Sequence, residues 1–199
     1  MLKHIRPALI MMTVMTVILG LMYPLGMTGV AQVLFPHQAN GSLIEKDGRV
    51  VGSELLGQNF VQPKYFQGRP SATSGPDPAD PSKSTSVPYN AANSSGSNLG
   101  PTSAALMDRL KTDAERLKAE NPHMSIPVDL ITSTGSGLDP HISPAAALFQ
   151  IPRVARARGL TEDRIRQLVD EYTEGRSLGI FGEPRVNVLK INLALDALS

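Results

Sequence analysis

The chain has 199 residues and a formal charge of +1, which leaves room for one folded domain plus an appendage and gives no excess positive charge to hold a nucleic acid. It contains no cysteine, which excludes disulfides, thiolate metal sites and cysteine nucleophiles. Its histidines, His4, His37, His123 and His141, are scattered without the paired spacing of a metal site.

Every residue from Ala8 to Leu34 is uncharged, and most are Leu, Ile, Val, Met, Ala or Gly. Such a run exceeds the roughly 20 residues that cross about 30 Å of hydrocarbon as a helix, so 8–34 is predicted to span a membrane. Lys3, His4 and Arg6 precede it, and no Lys or Arg follows before Lys46. By the positive-inside rule residues 1–7 stay cytoplasmic and 35–199 lie on the far side. The rival reading is a secretory signal cleaved after Gly29-Val30-Ala31, although signal cores usually run only about 7 to 15 residues. Pro24, Gly26 and Gly29 divide the run and keep that rival open. Gly20, Gly26 and Gly29 either let a neighbouring helix approach closely or mark local kinks.

Beyond the helix, Ser42-Leu43-Ile44-Glu45 and Arg49-Val50-Val51-Gly52 flank Lys46-Asp47-Gly48, which predicts a hairpin about an Asp-Gly turn. Residues 68–101 are mostly Gly, Pro, Ser and Asn. That composition buries little apolar surface and cannot make long ladders, and a loop of this length is usually functional or mobile. Tyr65, Phe66 and Tyr89 are expected to pin it in places. Leu106, Leu110, Ala114 and Leu117 then recur at helical spacing, with charges on the other faces and Asn121-Pro122 as the stop.

Val128 to Thr132 is predicted to be a short strand. Ser143 is placed to cap a helix that starts at Pro144, breaks or kinks at Pro152, resumes through Val154 and Ala157 and stops at Gly159. Another helix is expected from Thr161, with Leu160 and Ile165 as a staple and Ile165, Leu168 and Tyr172 toward the core. Asn187 caps a terminal helix with Val188, Ile191, Leu195 and Leu198 on one stripe. The expected fold class is α+β: one N-terminal transmembrane helix, then one soluble domain that is helix-rich toward its C-terminus.

The stretch Thr132-Ser133-Thr134-Gly135-Ser136-Gly137-Leu138-Asp139-Pro140-His141 has the residue types for chemistry. Glycines ahead of a helix start let backbone amides converge on a phosphate. No Gly-Lys-Ser/Thr follows, however, and the third glycine of the dinucleotide fingerprint is missing, so a structural turn is the preferred reading. Ser133 or Ser136 with His141 and Asp139 would furnish a hydrolase, but they crowd into one turn with Pro140 between acid and base, and no Gly-x-Ser-x-Gly elbow is present. Glu162 and Asp163 fall in a first helical turn, where negative charge complements the dipole. Arg153, Arg156 and Arg158 either complement a helix C-terminus or meet an acidic partner or lipid headgroups.

The order of several blocks is more informative than any one of them. After the apolar run come Gln38-Ala39-Asn40-Gly41-Ser42-Leu43-Ile44, Gly57-Gln58-Asn59-Phe60, Tyr65-Phe66-Gln67-Gly68-Arg69-Pro70-Ser71 and Ser95-Gly96-Ser97-Asn98-Leu99-Gly100-Pro101. The 132–144 loop, Gln150-Ile151-Pro152-Arg153-Val154-Ala155 and Arg185-Val186-Asn187-Val188 complete the set. Over essentially the whole chain this resembles the KdpC family, the small C subunit of the bacterial potassium-importing P-type ATPase complex.

The resemblance implies a non-catalytic accessory and assembly subunit of the bacterial inner membrane, with no cofactor of its own, ATP and potassium being bound by the complex. It implies as partners a channel-like potassium-binding subunit, a P-type ATPase subunit and a small hydrophobic subunit, besides membrane lipid. The family is described as a catalytic chaperone that raises the ATP affinity of the hydrolysing subunit, and this implies nucleotide contact at Gly135, Ser136, Gly137 and Gln150. That contact conflicts with a domain outside the cell, where an effect on ATP affinity has to pass through coupling within the assembly. Two readings of other classes remain: a membrane-tethered extracytoplasmic hydrolase dependent on Ser136 or His141, and a periplasmic binding module released after Ala31.

Overall fold

The computed structural model describes residues 2–198 in two compact units, Met1–Val51 and Gly52–Ser199. In the first, a continuous helix α1 runs Ile5–Leu34. It begins three residues ahead of the predicted span and takes Arg6 and Pro7 into its opening turn, where a proline amide has no intrahelical acceptor to lose. At Ile18–Met22 the winding widens to a π-helical turn, and the Tyr23 N–H reaches back to the Ile18 carbonyl. Pro24 has no N–H to offer the Gly20 carbonyl, and the wide turn just before it absorbs that gap. Strands β1 (Leu43–Lys46) and β2 (Arg49–Ser53) form the expected hairpin. Asp47 and Gly48 sit at φ of 53° and 72°, the left-handed pair that a tight hairpin turn requires.

The second unit packs helices α2 (Ala104–Glu120), α3 (Pro144–Arg158), α4 (Glu162–Glu171) and α5 (Val188–Ala197) with two small sheets. One sheet pairs β3 (Ser74–Pro76) with β4 (Ser84–Ser86) inside the Gly/Pro/Ser-rich loop. The other is antiparallel, with β7 (Arg185–Asn187) between β5 (His141–Ile142) and β6 (Thr173–Glu174). Every predicted cap is in place: Ser143 accepts from the Ala146 amide, Thr161 from Arg164 and Asn187 from Lys190. The α+β class is therefore as expected.

Two local expectations are corrected. Val128–Leu130 is a 3-10 turn and no strand; the Thr132 hydroxyl donates to the Val128 carbonyl at 2.8 Å, a local bond that competes with any ladder. Pro152 does not end its helix, because α3 continues unbroken to Arg158. Burial of Ala146, Ala147, Phe149, Ile151, Val154 and Ala155 along its length offsets the one lost backbone bond.

The core joins these residues to Phe66, Ile142, Ile165, Leu168, Val186, Val188, Ile191 and Leu195. Phe66 stands out because it comes from an irregular segment and is nevertheless wholly buried. Two helix amides hold it there. Asn192 accepts from the Phe66 N–H at 2.8 Å and donates to the Phe66 carbonyl at 2.9 Å. Gln150 does the same for Gln67, at 2.8 and 3.1 Å. The two side chains thus stand in for a neighbouring strand, and buried backbone groups that would otherwise lack partners are satisfied. Two arginines of α3 extend the grip. Arg153 donates to the Tyr65 carbonyl and pairs with Glu120, while Arg158 donates to the Lys64 carbonyl and pairs with Asp196. Both are thereby tied within the domain, and Arg156 of the same cluster is exposed.

Replacing Asn192 by Leu keeps the volume but strands the Phe66 N–H and carbonyl. The expected loss is about 2 to 4 kcal/mol, read as a lower urea midpoint with unchanged slope for the folded domain.

Candidate functional site

Beyond Gln67 the clamped segment runs into a polar junction where it meets the 87–97 and 132–139 segments. The Ser71 hydroxyl donates to the Gly137 carbonyl at 2.7 Å and accepts from the Tyr89 N–H at 2.9 Å. Thr73 donates to the Val87 carbonyl at 2.6 Å and accepts from the Asn90 N–H. From the other side, the Ser95 N–H and the Ser94 hydroxyl both donate to the Ser136 carbonyl at 3.0 Å. Three loops, 69–73, 87–97 and 132–139, are thus stitched together largely by hydroxyl side chains, beside the Ser95 backbone bond and another from the Val87 N–H to the Thr73 carbonyl.

Gly137 sits where they converge. Its φ is +68°, and an added Cβ would stand 2.5 Å from the Thr73 methyl and 2.7 Å from the Ser95 carbonyl oxygen. Its N–H is donated to the Thr134 hydroxyl at 2.8 Å, and the Ser136 hydroxyl accepts from the Leu138 N–H at 3.1 Å. Gly135 and Ser136 lie exposed at the rim. Gln150 is distant in role: its oxygen also accepts from Arg153, and its nitrogen also donates to the Ala146 carbonyl. The four polar bonds available to its amide are therefore all made inside the domain.

Arg69, Asp139 and His141 form the charged part of the junction. Arg69 lies 3.5 Å from the Asp139 carboxylate and donates to Thr132. The other Asp139 oxygen accepts from the His141 N–H at 3.0 Å and faces His141 Nδ1 at 3.4 Å. Partial burial opposes ionisation of Asp139, but hydrogen bonds from the His141 ring and backbone, and the charges of His141 and Arg69, outweigh it and hold the carboxyl below its ordinary value. Tyr89 donates to the Arg69 carbonyl at 2.7 Å. Burial, assisted by the Asp139 charge, pushes its phenol up to about 12, so it remains a donor at any physiological pH. Two shallow grooves, of about 280 and 290 Å³, flank Arg69.

The geometry does not assemble a hydrolase. Ser133 pairs with Ser97 and Ser136 with Leu138, and among the described residues neither bonds His141. Asp129, read from the sequence as part of a strand, instead accepts from both the N–H and the hydroxyl of Ser143 at 2.8 and 3.1 Å. It thereby orients the residue that caps α3. No group of three or more His, Asp or Glu side chains that would hold a metal occurs among the described residues.

A helix long and apolar enough to cross a membrane, followed by an α+β domain with a tightly stitched polar junction, is consistent with a single-pass membrane protein. The family model described as "K+-transporting ATPase, c chain" matches residues 5–197, beginning at the first residue of α1 and ending at the last residue of α5. Three relatives carry the name "Potassium-transporting ATPase KdpC subunit". That of Rhodopseudomonas palustris is 70% identical over 99% of this chain and 98% of its own. That of Methylobacterium nodulans is 62% identical over 100% and 99%, and that of Bradyrhizobium diazoefficiens 64% over 98% of each. The chain belongs to the KdpC family.

Gly137→Ala adds a strained φ and two close contacts, and is expected to reduce stability by about 1 to 3 kcal/mol and to expose 87–97 to proteolysis, measured by urea unfolding and limited digestion. Because the folded pKa of Asp139 is depressed, its stabilising contribution is present above the ordinary value of 3.8 and is lost as pH falls through the lower folded value. Asp139→Asn should therefore flatten the acid end of the stability–pH curve.

Proposed function

We propose that the chain is the accessory subunit of an ATP-driven potassium import complex, in which α1 packs among the other membrane subunits and the folded domain sits on the side from which potassium enters. The observation that supports this reading is α1 itself. It is 30 residues long, and its most apolar 18-residue window has a mean hydropathy of 2.1 and is 0% buried within the chain. So much apolar surface calls for lipid or protein around it, and the family match includes it. Lys3 and Arg6 at its start support a cytoplasmic N-terminus under the positive-inside rule.

In this arrangement the potassium path belongs to a channel-like subunit, ATP to a P-type ATPase subunit, and a small hydrophobic subunit completes the assembly. The domain acts through its conformational preference. If it binds one state of the complex more tightly than another, it shifts ATP affinity by that difference without touching nucleotide. This accounts for a chaperone-like effect on hydrolysis from across the membrane. It assigns the polar junction the task of keeping three glycine-rich loops in one shape, so that the surface offered to a partner is the same in every copy.

Orientation is testable because the chain has no cysteine of its own. A single Ser82→Cys in an exposed turn is expected to react with a membrane-impermeant maleimide in spheroplasts with intact inner membranes. Labelling only after the membrane is opened would reject the arrangement. The chain is also expected to co-purify with a polytopic ATPase in mild detergent, and its recovery alone would reject the assignment as a subunit.

A further inference from the structure

The segment 175–184, between β6 and β7, is exposed from end to end. It nonetheless carries three large apolar side chains: Leu178 is 89% exposed, Ile180 69% and Phe181 62%. The turn that bears them is well ordered by its own bonds. Ser177 and Phe181 exchange both backbone hydrogen bonds at 2.9 Å, the Gly179 N–H returns to the Arg176 carbonyl at 3.1 Å, and the Ile180 N–H to the Ser177 carbonyl at 3.3 Å. Leu178, Gly179 and Gly182 take φ of 54°, 77° and 77°, and for Leu178 such a value is a sparsely populated conformation. At the neck, one Arg176 nitrogen meets both Glu183 carboxylate oxygens, at 2.9 and 2.8 Å.

We propose that residues 176–183 form a preorganised apolar plug that seats in a hydrophobic recess of another subunit of the same ATPase, on the side where the folded domain lies. This rests on the subunit reading above and adds the contact surface. Three observations favour a protein recess over the alternatives. The shape is already set by four backbone bonds and an ion pair, so seating it in a fixed cavity orders little that is not ordered already. The neck charges cancel each other, and 175–184 contains no Trp, Tyr or Lys, the residues that hold a loop at a lipid headgroup layer. A second copy of the chain is also a poor fit, because two tips of three side chains, with nothing else to hold them, fall far short of the roughly 1,200 Å² of a stable interface, whereas a tip seated in a fellow subunit adds to the contact proposed for α1.

The test uses the full chain produced together with the other subunits of its ATPase. A photo-reactive benzoylphenylalanine in place of Gly175, at the neck and outside the seated side chains, where an added side chain meets open space, is expected to cross-link in membranes to one of those subunits, identified by mass. In mild detergent the Leu178→Ser/Phe181→Ser chain should leave the complex at least tenfold faster than the unaltered chain, with an unchanged melting midpoint because neither side chain contributes to the core. Leu178→Trp should do the same, since a shaped recess rejects the larger ring whereas a bilayer surface accepts it. Adducts to lipid or to a second copy, or release of both variants at the unaltered rate, would overturn the plug. If the unaltered chain itself fails to co-purify, the subunit reading falls, and the plug with it.

Discussion

Two buried amides, Gln150 on α3 and Asn192 on α5, are the constraint on which the folded domain depends. Each makes a paired hydrogen bond to the backbone of one residue, and the two residues, Gln67 and Phe66, are adjacent. A short irregular segment is thereby given the partners a strand would have, and Phe66 is fixed in the apolar core. From that anchor the chain runs directly into Arg69 and Ser71, the first members of the polar junction. Helical packing and loop order are in this way one problem and not two. Loops this poor in apolar residues could not order themselves; they are ordered because helices reach in to hold them.

The junction then spends side chains on backbone groups. Ser71, Thr73 and Ser94 bond main-chain atoms of neighbouring loops, and Thr134 and Ser136 bond amides of their own, which is the role hydroxyls take where ladders are absent. Such an arrangement maintains a surface shape and leaves few groups uncommitted for reaction chemistry. Membership of a transport ATPase family is consistent with that division of labour, since the energy conversion belongs to a different polypeptide and this one has to present a stable face.

The helices and their caps were legible in the sequence because capping is local. Ser143, Thr161 and Asn187 each lie next to the run they start, and apolar spacing fixes the face that follows. The hairpin about Asp47-Gly48 was legible for the same reason. The clamp was not read, although it left a trace: Gln150 lies four residues beyond Ala146, and Asn192 four beyond Val188, each in line with a buried position of its helix. A polar residue on an apolar stripe is the signal for a buried amide with a tertiary partner. The 128–132 segment misled because its apolar residues suit a strand, while Asp129 is recruited by Ser143 and Thr132 by the preceding carbonyl. Arg69 and Asp139 are separated by seventy residues of chain, so no local pattern announces them as partners. Leu178, Ile180 and Phe181 carry no such signal, because apolar residues between glycines have the same pattern whether they are buried in a short strand or exposed on a turn.

The π-helical turn at Ile18–Met22 has a bearing on how the anchor meets its surroundings. One additional residue in a turn offsets everything after it by about 100° around the axis relative to an uninterrupted α-helix. A stripe drawn along the half before the wide turn therefore does not continue along the half after it; it emerges on a different flank. The anchor has two azimuths, and a neighbour that lies along one half is not the neighbour that lies along the other. An apolar helix of this kind offers two separate seams, where a straight rod offers one.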